Sequence, residues 1–151
     1  MTKIAIASII SLLIFVAGCG TVGLTAPDGY AKRKSWHYDY MAVSTDANVI
    51  SLRLQENEDE EKGTLDFWTE ATRKHLTLSR GYEAKDEGTF KTELGPGRYL
   101  VMVKEHKGVE HLYVVGLVVT GDTIYVMEGG GEKGAMETEV PKMVAAFGTL
   151  K

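Results

Sequence analysis

Cys19 is the only thiol in this chain of 151 residues. It sits in the stretch Leu12 to Gly23, directly after an apolar run. A single cysteine has no intramolecular disulfide partner, no Cys-x-x-Cys mate and no zinc cluster to join. A nucleophilic or redox role would require a folded environment that lowers its pKa, which an N-terminal apolar run does not supply. His106 and His111 are the other residues whose spacing suggests chemistry. They flank Lys107-Gly108, with Glu105 and Glu110 beside them. If His106 pairs with Val109 across a two-residue turn, His111 faces Lys104, and the two imidazoles stand diagonally or on opposite faces. A metal centre needs three or four converging ligands with supporting hydrogen bonds. His106 and His111 are therefore weak metal candidates, and an exposed polar hairpin tip is the favoured reading.

The remaining candidates are poorer. His37 and His75 are isolated, and His75 reads as a packed or rim residue on a helix. There is no Gly-x-Ser-x-Gly elbow for a serine hydrolase. Gly129-Gly130-Gly131-Glu132-Lys133-Gly134 lacks the Gly-Lys-Ser/Thr ending of a phosphate loop, so it reads as a flexible strand-to-helix connection. Glu56 to Lys62 is acidic but lacks the ligand offsets and mid-loop glycine of a calcium loop, so it reads as solvated. Tyr38, Tyr40, Tyr99, Tyr113 and Tyr125 read as packing residues on neighbouring strands, or as a partner surface if several share an exposed face. With no convergent catalytic set, the expectation is a protein that is not an enzyme and needs no cofactor.

The segment before Cys19 reads as an export signal. Lys3 supplies the positive start, and Ile4 to Val16 is an almost unbroken apolar run. As a helix, about 13 residues span about 20 Å, short of the roughly 30 Å hydrocarbon core. Val16, Ala17 and Gly18 then precede the cysteine. This tetrapeptide resembles the lipobox of bacterial lipoproteins. The resemblance implies peptidase recognition at Val16, Ala17 and Gly18, acylation of Cys19, and removal of residues 1–18. Several acyl chains make a durable membrane anchor. Gly20 rather than Asp follows Cys19, which by the enterobacterial sorting rule favours the outer membrane, facing the periplasm.

The elements that follow give the domain plan. Residues 19–34 mix Gly, Thr, Pro, Asp and basic residues without a sustained apolar period, so they are expected to be a lipidated flexible tether. Trp36, Tyr38, Tyr40 and Ala42 alternate as a strand, and Ile50, Leu52 and Leu54 as a second. Thr64 can cap a helix beginning at Leu65, with Gly81 as its stop. Strands are expected at 89–94, 98–104, 112–119 and 123–127, with turns at Gly95-Pro96-Gly97 and Gly121-Asp122. Leu112 to Val119 is apolar on both faces, as in a central strand covered on both sides. A final helix spans Met136 to Phe147, starting near or kinked at Pro141, and Gly148 ends it. The fold class is α+β: an antiparallel sheet of about six strands with two helices, after an N-terminal signal helix.

Composition fits this plan. Hydrophobic content is 44% and charged content 25%, enough for residues 35–151 to bury one core. The net charge of -4, with Lys32-Arg33-Lys34 as the sole basic cluster, argues against nucleic acid as a partner.

The order of elements from Trp36 to Leu150 resembles the PsbP-like family, which includes DcrB-like bacterial lipoproteins. The closing segment carries most of the likeness. His111-Leu-Tyr-Val-Val turns through Gly121-Asp122 into Ile124-Tyr-Val-Met, and a helix follows that ends in Phe147-Gly-Thr-Leu. The resemblance implies an α/β/α sandwich and a role in binding and assembly, with an envelope protein complex as partner. Small-molecule or metal binding is the alternative role.

Overall fold

The computed structural model describes residues 21–58 and 61–151. The expected signal segment, the recognition residues Val16, Ala17 and Gly18, and Cys19 lie outside the described residues. Seven antiparallel strands form one sheet in the order β1-β2-β3-β7-β6-β5-β4. They are β1 (Tyr30–Lys32), β2 (Tyr40–Ser44), β3 (Val49–Glu56), β4 (Glu83–Thr92), β5 (Gly95–His106), β6 (Val109–Thr120) and β7 (Thr123–Glu132). One helix, α1 (Leu65–Lys74), leads into a π-helical turn at His75–Ser79; two short helices, α2 (Lys133–Met136) and α3 (Val140–Phe147), follow β7.

Period-two alternation divides the apolar residues of β6 between two layers. Leu112, Val114 and Val118 join Met136, Met143 and Phe147 on the α2/α3 face. Val115 and Leu117 join Leu100, Met102, Val126 and Leu76 on the α1 face. Helices on both faces of the sheet make the expected α/β/α arrangement. The hairpins at Lys107-Gly108 and Gly121-Asp122 form as expected, with His106 opposite Val109 and Thr120 opposite Thr123.

Five sequence expectations are corrected. The tether of residues 19–34 is folded from Gly23 onward. The Gly23 and Lys151 backbones exchange hydrogen bonds of 3.1 and 3.4 Å, Leu24 is buried, and β1 pairs with β2. Val22, Leu24 and Ala26 do alternate and pack on the core, but three positions are too short a period to stand out. This added edge strand brings the sheet to seven. The expected strand from Trp36 begins only at Tyr40, because Ser35 to Tyr38 leave the sheet and Trp36 is 91% exposed.

The turn placed at Gly95-Pro96-Gly97 falls instead at Glu93-Leu94. The Thr92 hydroxyl donates to the Gly95 carbonyl at 2.8 Å and accepts the Leu94 N–H at 3.1 Å. Gly97 is inside the strand, where the Phe90 ring lies over it. The final helix is split in two by Glu137–Glu139, with Pro141 in the first turn of α3, where a missing N–H costs nothing.

The glycine run 129–131 is strand, not a flexible connection. A Cβ at Gly129 would collide with Met143 Sδ, one at Gly131 would collide with Asn48 Oδ1 and lie 3.0 Å from Met136 Cγ, and one at Gly116 would lie 2.6 Å from Phe147 Cδ2. Glycines here let α2 and α3 press directly onto the backbone of β6 and β7. Phe147 is fully buried, so its ring has little room to give. Gly116→Ala should therefore cost about 1–3 kcal/mol in urea denaturation. Gly130→Ala, whose added Cβ would meet nothing nearer than 3.6 Å, should stay within about 0.5 kcal/mol.

Candidate binding groove

Helix α1 begins where the sequence places it. The Thr64 hydroxyl accepts the Phe67 N–H at 3.2 Å, and Asp66 sits in the positive first turn. Its position over the sheet is fixed by Asn57, which is 2% exposed. The Asn57 amide donates to the carbonyls of Gly63 and Gly121, each at 3.0 Å. Its oxygen accepts the Gly63 N–H at 3.1 Å and the Trp68 indole N–H at 3.0 Å. One side chain thus ties the end of β3, the β6–β7 turn and the first turns of α1 together. The acidic stretch read as a solvated loop therefore contains a buried structural residue.

So placed, α1 lies over β5 and β6, and the π-helical turn lies over β4. β3 and β7 extend beyond this footprint. Between them and the helix runs a groove of about 600 Å³, lined by residues that include Arg53, Gln55, Trp68, His75, Leu76, Arg80, Tyr82, Tyr113, Val126 and Glu128. Tyr113 donates its hydroxyl to Glu128 Oε1 and packs against Tyr82 with ring centroids 5.5 Å apart. Burial, and then the Glu128 carboxylate, push the Tyr113 phenol far above its ordinary pKa. Among the described residues, Glu128 Oε2 and Arg53 Nε are buried without a hydrogen-bond partner.

The sequence candidates do not converge. His106 and His111 lie diagonally on one face, since Lys104 stands opposite His111. They border a small cavity of about 240 Å³ with Tyr82 and Lys104. Among the described residues, no three His, Cys, Asp or Glu side chains come together as a metal site. His37 is exposed on the segment outside the sheet, whereas His75 lines the groove rim. Tyr40, Tyr99 and Tyr125 pack on the α3 face, Tyr38 lies before β2, and Tyr113 alone of the group enters the groove. Sequence reading missed Arg53, Asn57 and Glu128. Arg53 alternates with Leu52 and Leu54 like any solvent-facing strand residue, so its partial burial left no mark in the pattern.

Neither a protein-family model nor a curated protein matches the sequence. Solved structures do match in fold. LpqN of Mycobacterium tuberculosis, described as involved in cell envelope biogenesis, aligns with a TM-score of 0.61 at 12% identity, covering 86% of this chain and 83% of LpqN. CyanoP, the cyanobacterial PsbP of Synechocystis, aligns with a TM-score of 0.55 at 10% identity, covering 90% of this chain and 95% of CyanoP. A Pseudomonas aeruginosa protein of unknown function aligns with a TM-score of 0.54 at 6% identity, covering 81% and 96%. The fold is therefore PsbP-like.

Two outcomes follow from these positions. Asn57→Ala leaves the Trp68 indole N–H without its partner and should lower stability by about 2–4 kcal/mol, with a shift of Trp68 fluorescence. Tyr30, which donates to Glu139 at 3.3 Å, has its pKa pushed up to about 12 by burial and then by the Glu139 charge. A phenol raised above its unfolded value of 10.0 contributes stability that is present below that pH and lost as pH rises through the folded value. Base titration should show Tyr30 and Tyr113 ionising well above pH 10, and stability falling from about pH 10 upward. Phenolate absorbance read beside circular dichroism checks both.

Proposed function

We propose that this protein is a membrane-anchored lipoprotein of the cell envelope that acts as a non-catalytic binding or assembly factor, held through acylated Cys19. One observation carries the reading. The lipobox-like Val16-Ala17-Gly18-Cys19 stands only four residues before Gly23, whose backbone is clamped to Lys151. Four residues span at most about 14 Å in any conformation. An anchor at Cys19 therefore holds the folded domain close to the bilayer rather than on a long leash. Val22, Leu24 and Ala26 pack with the α3-side core, which supports an anchor on the closed face, with the groove on the opposite one.

The envelope role described for LpqN supports the same location, and Gly20 after the cysteine favours the outer membrane. Metal binding at the hairpin is the weaker alternative, because His106 and His111 have no third ligand beside them among the described residues.

Metabolic labelling with a palmitate analogue should mark the wild-type protein and not Cys19→Ala, and that variant should leave the membrane fraction. Equal labelling of both contradicts the anchor. Affinity capture of the lipidated protein from envelope extracts should enrich one specific complex in repeated trials. Recovery of abundant envelope proteins alone contradicts the assembly role.

A further inference from the structure

The sheet face beside α1 holds a buried donor, Arg53 Nε, and a buried acceptor, Glu128 Oε2, and neither has a partner among the described residues. They do not satisfy each other. Arg53 stands opposite Val126 and Glu128 opposite Ser51, so the two are diagonal neighbours on adjacent strands. Such positions lie about 7–8 Å apart along the backbone, within reach of long side chains, and both residues line the groove. The other oxygen of Glu128 is occupied by Tyr113. Buried polar atoms in native proteins are paired as a rule, so the two call for a bridging group that both accepts and donates.

We infer that the groove binds a small zwitterion with an apolar side chain, of the amino-acid or short-peptide class, its ammonium on Glu128 and its carboxylate on Arg53. Neither charge alone fits. A simple anion would lie against Glu128, and a simple cation against Arg53, each in a partly buried wall where repulsion is weakly screened. A single water could bridge the two atoms, but it occupies about 30 Å³, and the groove offers about 600 Å³. Trp68, Leu76, Tyr82 and Val126 supply an apolar wall beside the polar Gln55 and His75, and that wall suits an aliphatic or aromatic side chain. Arg80 stands exposed at the rim, where the carboxylate of a longer peptide can reach it. The inference deepens the binding role and requires neither the lipid nor a protein partner, so its failure leaves both of those standing.

The test is calorimetric titration of the full-length protein in detergent micelles with the dipeptide leucyl-phenylalanine. Saturable binding is expected, weakened about tenfold or more when the α-amine is acetylated or the carboxylate amidated. Glu128→Gln should become indifferent to acetylation and Arg53→Met indifferent to amidation. Glu105→Gln, on the exposed hairpin, should bind as wild type does. Circular dichroism checks that the groove variants fold, and the capped peptides on wild type decide the matter if they do not. Three results would overturn the inference: no saturation below about 10 mM, capped peptides binding as well as the free one, or laurate competing as well as the dipeptide.

Discussion

The structure depends on the approach of two short helices to a glycine-lined patch of sheet. Gly116, Gly129 and Gly131 leave no side chain between β6/β7 and the helices, and Phe147, Met143 and Met136 fill that space. All three are fully buried, and each such side chain contributes about 1.5–3 kcal/mol on burial. Seating α3 this way brings Leu150 into the core and Lys151 alongside Gly23. The C-terminus thereby fastens the N-terminal segment and closes one face of the sheet. Isolated helices of four and eight residues are unstable in water, so tertiary contact must supply their order.

The other face has no equivalent seal. Helix α1 is held at its start by Asn57 and along its length by Leu65 and Trp68 on β5 and β6, and Leu76 of the π-helical turn joins the same layer. Beyond it the sheet carries Arg53 and Glu128 where an apolar layer would otherwise sit. Partly burying unpaired polar atoms costs stability, and proteins keep such features chiefly where they serve a site. The surface ion pairs contribute much less. Arg98–Asp66 at 2.7 Å and Lys133–Glu110 at 2.5 Å involve half-exposed or exposed side chains, which salt screens. One closed face and one open face are thus the basis of the proposed division between anchoring and binding.

Much of the fold was legible in the sequence because its signals are local. The alternation in Leu112 to Val119, the turns at Lys107-Gly108 and Gly121-Asp122, and the Thr64 cap each depend on a few neighbouring residues. What escaped depends on contacts distant in sequence. Gly129 to Gly131 look like a loop until Met143 and Met136 are seen against them. Residues 21–32 look like a linker because their order comes from Lys151 and from β2. The groove was the least legible part. Arg53 and Glu128 are diagonal across β3 and β7, a pairing that follows from register rather than from motif. His106 and His111, conspicuous by spacing, proved to share a face at an exposed tip.

The α1-side groove is thus the proposed working surface of a domain held by its opposite face. Site-specific photocrosslinking in the membrane-associated protein tests this most directly. A photoreactive residue would replace Gln55, exposed in the groove, or Lys142, exposed on α3. A discrete adduct from position 55 and none from position 142 is the expected result. Adducts from position 142 with none from position 55 would contradict it.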